Sequence, residues 1–148
     1  MIREATLADM DALVDIGRHA LSGSIQDVAF GFVVDSFKEH ISVLIEGKNS
    51  RVFVWDDGII KGVVSLGIGP YIANRDKLVA VESHWFVMPQ YRQSSIGIRL
   101  FEHAENWAWE NGAELIMFSR PSDNARLVQF YERRGYRPVQ STYAKRRK

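Results

Sequence analysis

Apolar residues in the first third of the chain recur at helical spacing in two stretches. Residues 6–9 have the spacing of a capping box, and the apolar stripe after them predicts a first helix that ends at the polar residues 22–24. The second stripe predicts one continuous helix over residues 28–46, with Gly31 as a weak point inside it and Gly47 at its end. We therefore expect two helices before the first long strand.

Three strands are predicted in the middle of the chain, because β-branched and aromatic residues alternate there with polar ones. Asp57 and Gly58 form a two-residue hairpin signal between the first two strands. Gly69 and Pro70 are expected to end the second strand and to open a loop over residues 71–77. The three predicted strands cover residues 51–55, 59–68 and 78–87.

The C-terminal part alternates between helical and extended patterns. A long amphipathic helix is predicted over residues 95–110 and a buried strand over residues 114–119. A short helix should follow, capped by residues 122–124 and stopped by Gly135. A last strand is expected over residues 136–145.

This order of elements mixes an antiparallel hairpin with crossover helices, which connect parallel strands. We therefore predict an α/β fold of mixed α+β character: one domain over residues 1–148, built on a central mixed sheet with helices on both faces. The length of 148 residues and the 46% share of apolar residues suit a single globular core.

Composition narrows the class of protein. The chain has no cysteine, which excludes a disulfide scaffold, a thiolate metal site and a cysteine nucleophile. No signal peptide and no membrane-spanning run are recognised, so we expect a soluble cytoplasmic protein. The net charge is +1, yet residues 120–148 hold nine Lys or Arg against two Asp or Glu. A basic end of this kind could face a phosphorylated ligand or nucleic acid, although a solvated surface explains its terminal charges as well.

The segment over residues 80–100 carries the clearest sign of a binding site. An apolar strand breaks at Pro89, crosses a polar loop over residues 90–95 and enters a long helix. The first N–H groups of a helix have no partner inside it, and the helix dipole adds partial positive charge there. Such a loop suits an anion, and a pyrophosphate in particular.

Two motifs resemble those of the GNAT family of N-acetyltransferases. Residues 92–97, RQSSIG, resemble its acyl-CoA loop, which follows a strand ending in Val-x-Pro, here residues 87–89. Ser95 stands where the family usually has its first glycine. Residues 124–136, NARLVQFYERRGY, resemble a later motif in which an Asn opens a helix. The resemblance is strongest over residues 79–136, with a splayed strand expected beside the loop.

The resemblance implies direct transfer of an acetyl group from acetyl-CoA, as co-substrate, to a primary amine, with no covalent enzyme intermediate. The Val87 backbone would align the pantetheine arm, Asn124 would contact that arm, and Tyr131 would protonate the leaving thiolate or steady it. The pyrophosphate would receive N–H groups from the loop residues Arg92, Gln93, Ser94, Ser95, Ile96 and Gly97.

The base that takes a proton from the amine is the most open assignment. Glu82 is the one carboxylate inside the predicted central strand and is the first candidate; His84 is the second. Side-chain alternation would place Glu82 and His84 on the same face, unless a bulge resets the parity. A structural hydrogen bond or ion pair is an equally good explanation of Glu82.

Partners are predicted only by class. We expect a small-molecule or peptide amine as acceptor, no metal and no membrane partner, and we leave a homodimer open. A non-catalytic acyl-CoA-binding regulatory module is the main alternative. An acetyltransferase acting on RNA-linked amines is least favoured, because no aromatic platform interleaves with the basic residues.

Overall fold

The computed structural model describes residues 1–121 and 124–147. These form two compact units, Met1–Met117 and Phe118–Lys148. Ser122 and Asp123, to which the sequence assigns a capping role, lie outside the described residues. The expectation of one domain over the whole chain stays a prediction.

A five-stranded sheet organises the first unit, in the order β1-β2-β3-β4-β5. All neighbours run antiparallel except β4 and β5, which are parallel, so the predicted mixed sheet is confirmed. The short first strand has no counterpart in the sequence-based prediction. The strands are β1 (Ile2–Glu4), β2 (Ser50–Asp56), β3 (Ile60–Tyr71), β4 (Asn74–Val87) and β5 (Ala113–Met117).

Helices cover both faces of this sheet, as predicted. The first unit has four, α1 (Met10–Leu21), α2 (Ile25–Phe30), α3 (Val34–Glu46) and α4 (Ile96–Glu110), and the second has α5 (Arg126–Arg133). Val52 and Val54 share a core with residues of α1 and α3. Phe53, between them on the strand, packs its ring against His103 and Trp107 of α4. Strand side chains alternate between faces, so α4 lies opposite α1 and α3.

The predicted single helix over residues 28–46 is wrong. The structure has two helices there, because Gly31 adopts φ +73°, which no residue inside an α-helix has. The N–H of Gly31 still donates to the Asp27 carbonyl and closes α2. The chain resumes as α3 at Val34.

The predicted chain break at Gly69 and Pro70 is also wrong. β3 continues to Tyr71 and pairs with β4 from Asn74 onward, so most of the expected loop over 71–77 is strand. Pairing with β2 ends at Gly67, so Pro70 lies where β3 has only β4 beside it. A proline lacks the N–H that a central position would need, and this open side tolerates it.

The turn between β2 and β3 has three residues rather than two. β2 ends at Asp56, β3 begins at Ile60, and a bulge at Trp55 and Asp56 shifts the register. Gly58 adopts φ +91°, which agrees with its expected role as the turn glycine.

The predicted last strand over residues 136–145 is wrong. The described residues after α5, 136–147, form neither helix nor strand. α5 is the one regular element among the described residues of the second unit, so that unit offers no strand with which an extended segment can pair.

Arg3 bridges two carboxylates beside the confirmed capping box. Its guanidinium makes two 2.8 Å bonds to Asp9 and one of 2.9 Å to Asp56. The carboxylate of Asp9 also accepts the Thr6 N–H at 2.8 Å. The hydrogen bonds from Arg3 lower the pKa of both carboxyls below the ordinary 3.8.

We expect this cluster to make folding stability sensitive to acid. Because the folded-state pKa values of Asp9 and Asp56 are lowered, their contribution is complete above about pH 4 and is lost as pH falls further. Replacing Arg3 with Met should lower Tm at pH 7 and flatten its fall below pH 4, which thermal unfolding from pH 2.5 to 7 measures. An equally steep acid limb in the variant would contradict this role.

Candidate active site

The sheet opens on one side of β4. Its parallel pairing with β5 ends at Val81 opposite Met117, whereas β4 continues six residues further to Val87. Over that stretch β4 pairs on its other side with β3, and Gly62 lies opposite Val87. Beyond Val81, β5 therefore no longer pairs with β4, as expected for a splayed strand. An extended ligand could bind there through main-chain hydrogen bonds.

A bulge in β4 separates the two candidate bases. Ser65 of β3 pairs with His84, and the next residue, Leu66, pairs with Glu82, so Ser83 is the extra residue. Directly opposed residues share a face, and consecutive residues of β3 point to opposite faces. Glu82 therefore lies on the α4 side and His84 on the α1 and α3 side. The expectation from simple alternation, that they share a face, is wrong.

The loop after β4 is tied to the end of the strand by Arg92. Its Nε donates to the Val87 carbonyl at 3.0 Å, and its guanidinium lies 4.7 Å from the centre of the Phe86 ring. The backbone N–H of Arg92 donates to Pro89 within a 3₁₀ turn, Pro89–Tyr91, and is engaged there. In this structure Arg92 therefore acts through its side chain on the strand end.

Four backbone N–H groups of this segment remain available. The Ile96 N–H donates to the Ser94 hydroxyl at 3.3 Å. Among the residues described, none accepts a hydrogen bond from the amides of Gln93, Ser94, Ser95 or Gly97. These amides cluster at the N-terminus of the fifteen-residue helix α4, where the helix dipole is positive. The local structure suits an anion.

Ser95 fits the position at which the family usually has glycine. It has φ −81°, and the described residues include no non-glycine residue with positive φ. A Cβ added at Gly97 would lie 3.5 Å from Val87 Cγ2, which is ordinary van der Waals contact. The loop therefore needs no left-handed residue at position 95.

A cavity of about 440 Å³ adjoins the loop, and Ser95, Lys61 and Arg99 contribute to its wall. Lys61 pairs with Asp57 at 3.1 Å. The hydrogen bond from Trp55 Nε1, followed by that from Lys61, holds the pKa of Asp57 far below its usual range. The Arg99 guanidinium lies 4.8 Å from the centre of the Trp55 ring. Arg99 therefore adds a positive charge close to the free amides, beside that of Lys61.

Trp85 supports the helix end from the sheet side. Its Nε1 donates to the Gly97 carbonyl at 3.1 Å, and its ring lies 5.3 Å from that of Phe101. Phe101 is completely buried. These contacts hold the first turns of α4 against β4.

The remaining two predicted site residues belong to the second unit and are described within it. The Tyr131 hydroxyl donates to the Ser119 carbonyl at 2.8 Å. Asn124 donates its N–H to Pro121, and α5 begins two residues later, at Arg126, so Asn124 does not itself open the helix. Gly135 ends the helical segment with φ +83°, as predicted. The roles of Tyr131 and Asn124 stay predictions.

A contact between two histidines was not predicted. Nε2 of His40, on α3, lies 2.9 Å from Nε2 of His84. Burial, and then the charge of His40, lower the pKa of His84 to about 4. His40 lies three residues after Phe37, on the helical stripe that faces the sheet, which is the one sequence signal for its position.

Comparison with known proteins identifies the family. The model of the Acetyltransferase (GNAT) family matches residues 24–136. The chain belongs to the GNAT acetyltransferase family. A search of curated proteins finds no match.

Solved structures share the fold over nearly the whole chain. A transcriptional regulator from Bacillus halodurans C-125 is 20% identical, with 98% of this chain and 97% of that chain covered and a TM-score of 0.81. An acetyltransferase from Trypanosoma brucei is 17% identical, with coverage of 98% and 97% and a TM-score of 0.76. AAC(6')-Iy, in complex with the bisubstrate analogue CoA-S-monomethyl-acetylneamine, is 16% identical, with coverage of 100% and 97% and a TM-score of 0.72.

No group of three or more His, Cys, Asp or Glu within residues 1–121 and 124–147 is arranged to hold a metal ion. In the same ranges, every helix is too short or too polar to cross a membrane.

Proposed function

We propose that the protein is an N-acetyltransferase that moves the acetyl group of acetyl-CoA directly to a primary amine. The end of β4 beyond its pairing with β5, which leads to the free amides of Gln93, Ser94, Ser95 and Gly97, carries this proposal. Family membership supports acetyl transfer in general. AAC(6')-Iy, which shares the fold, is complexed with a bisubstrate analogue that contains CoA, and this supports acetyl-CoA as co-substrate.

The loop and the end of β4 beyond Val81 suit two parts of acetyl-CoA. The pyrophosphate would accept hydrogen bonds from the free amides, with Arg99 adding positive charge. The pantetheine arm would leave the loop near Val87 and run along β4. Strands rise about 3.3 Å per residue, so the arm would reach the bulge at Ser83 after about 13 Å. The thioester would then lie close to Glu82 and His84.

The reaction requires two protonic groups at the thioester. A base must take a proton from the amine, and Glu82 and His84 are the candidates on either face of β4. The leaving sulfur needs a donor, and the resemblance to the family assigns that role to Tyr131. A strand N–H near Val87 would stabilise the oxyanion of the tetrahedral intermediate.

The acceptor is proposed only as a small-molecule or peptide amine. Spermidine, neamine, and peptides with a free alanine N-terminus or a lysine side chain would sample these classes, with release of the CoA thiol as the readout. Because the chain has no cysteine, the enzyme adds no background to that assay. We expect thiol release that depends on one of these amines. Tight acetyl-CoA binding without release for any amine would instead favour an acyl-CoA-binding regulatory module. The cytoplasmic location and the homodimer stay predictions.

We expect the replacement of Ser95 with Gly to change acetyl-CoA affinity less than about twofold, because its backbone conformation needs no glycine. Calorimetric titration of both proteins measures this. A large gain in affinity in the variant would show that the serine restricts the loop and would contradict the proposed geometry.

A further inference from the structure

Two imidazoles meet on the face of the sheet that carries α1 and α3. His40 Nε2 and His84 Nε2 lie 2.9 Å apart, although the residues are 44 positions apart in the chain. At this distance one nitrogen donates an N–H and the other accepts it, so one proton lies between the two rings. The pair therefore already has the geometry of a proton transfer.

The two histidines differ in solvent exposure, and this difference sets the direction of proton transfer within the pair. His84 is half-buried, and the Phe37 ring packs edge-on to it with ring centres 6.2 Å apart. Its pKa of about 4 keeps the ring neutral at pH 7. His40 is exposed to solvent. A proton taken up at His84 thus has a short route to water.

A buried hydroxyl lies beside His84. Ser65 is its directly opposed residue on β3 and is completely buried. Among the residues described, the Ser65 hydroxyl is the one buried side-chain polar atom without a hydrogen-bond partner. The β3 residue that directly opposes His84 is therefore a polar, uncharged one.

We propose that His84 and His40 form the proton-accepting pair of the acetyl transfer, with His84 receiving the proton of the amine and His40 passing it to solvent. This inference rests on the proposed function. It places the acceptor amine on the α1 and α3 side of β4, beside the bulge at Ser83. It leaves Glu82, on the opposite face, outside the proton-transfer step.

The proton balance is complete without another reactant. The ammonium and the acetyl thioester give the N-acetyl amide, the free thiol and one proton; the C–N bond forms and the C–S bond breaks. Of the two protons that the nitrogen loses, one ends on the sulfur and the other enters His84 at Nδ1. The Nε2 proton of His84 then moves to His40 Nε2, and His40 releases its Nδ1 proton to water.

Few other charges act on the pair. On α3, His40 is the titratable group whose charge shifts His84. On β3, the adjacent group is the uncharged Ser65. The α1 side chains Arg18 and Asp11 are engaged elsewhere, with the Phe32 ring and Lys38. On β5, Glu114 pairs with Lys77. The pH response should therefore follow the two histidines.

The test compares kcat/KM from pH 6 to 10 for the wild type, His84→Gln and His40→Gln, using the amine that releases most thiol. We expect a loss of about 100-fold at pH 7 for His84→Gln and of about 10-fold for His40→Gln. Both losses should shrink as pH approaches the pKa of the amine, because a neutral amine needs no base. His19→Gln, which changes an exposed histidine on α1, should match the wild type.

Three results would overturn the proposal. The His84 and His40 variants could keep wild-type activity at pH 7, or could lose the same factor at every pH, as a structural role predicts. Glu82→Gln could show the pH-dependent loss instead, which would assign the base to the carboxylate. An absence of thiol release by the wild type with every amine would overturn the proposed function itself, and the pair with it.

A second measurement does not depend on turnover. Nitrogen-15 NMR titration of the imidazoles should show His84 neutral down to about pH 4 in the wild type and titrating at higher pH in His40→Gln, since the charge of His40 lowers its pKa. If His84 titrates near the ordinary 6.5 in both proteins, the pair does not exist as described.

Discussion

Replacing Phe101 with alanine is expected to lower the free energy of unfolding by about 3–5 kcal/mol. Phe101 is fully buried in α4 and packs against Trp85 of β4, so truncation leaves a cavity between the helix and the sheet. Denaturant unfolding with circular dichroism measures the change. The loss would be a large part of the total stability of a domain of this size.

Trp109 provides the matched control on the same helix. It is 47% exposed, and we expect its replacement with alanine to cost about 0.5 kcal/mol or less. Equal losses for the two variants would contradict the packing of α4 described here.

Because Trp85 also donates to the Gly97 carbonyl, Phe101→Ala should weaken acetyl-CoA binding as well.

Replacing Tyr131 with Phe is expected to lower kcat about 100-fold while acetyl-CoA affinity changes less than about twofold. The reason is the role proposed for its hydroxyl, as the donor to the departing sulfur. That hydroxyl donates to the Ser119 carbonyl in this structure, so catalysis would require it to exchange that acceptor for sulfur. Steady-state kinetics with calorimetry separates turnover from binding.

Tyr143→Phe is the control, because Tyr143 is 93% exposed in the same unit. It should leave kcat unchanged. A Tyr131→Phe enzyme with wild-type kcat would remove Tyr131 from the acid role. A loss of affinity equal to the loss of kcat/KM would assign the hydroxyl to binding instead.

The sequence predicts the structure best where a single physical signal, such as the spacing of apolar residues, determines it. Ile96, Leu100, Ala104 and Ala108 recur at helical spacing, and all four are buried on α4. The free amides at the start of this helix follow from helix geometry, which any sequence with this boundary shares. The acyl-CoA assignment came from resemblance, which the family match over residues 24–136 supports.

Local sequence patterns gave wrong predictions where the backbone conformation or the pairing of strands determines the structure. Helical spacing continues on both sides of Gly31, so only its positive φ reveals the break between α2 and α3. Pro70 predicts the end of a strand, because the sequence does not show that the pairing of β3 with β2 already ends at Gly67. Residues 136–145 have a strand-like composition, but a strand forms only with a partner.

The geometry of the candidate site depends on contacts that no local sequence pattern contains. The bulge at Ser83 reverses the face of Glu82 relative to His84, and alternation cannot locate an inserted residue. His40 and His84 belong to different elements, and their contact exists only once α3 packs on the sheet.

Calorimetric titration with acetyl-CoA, with CoA and ATP as comparison ligands, tests the central claim most directly. The end of β4 beyond its pairing with β5, together with the amides of the loop, predicts micromolar binding of acetyl-CoA and CoA and no binding of ATP, which lacks the pantetheine arm. A folded protein that binds neither acetyl-CoA nor CoA would contradict the proposed use of this site.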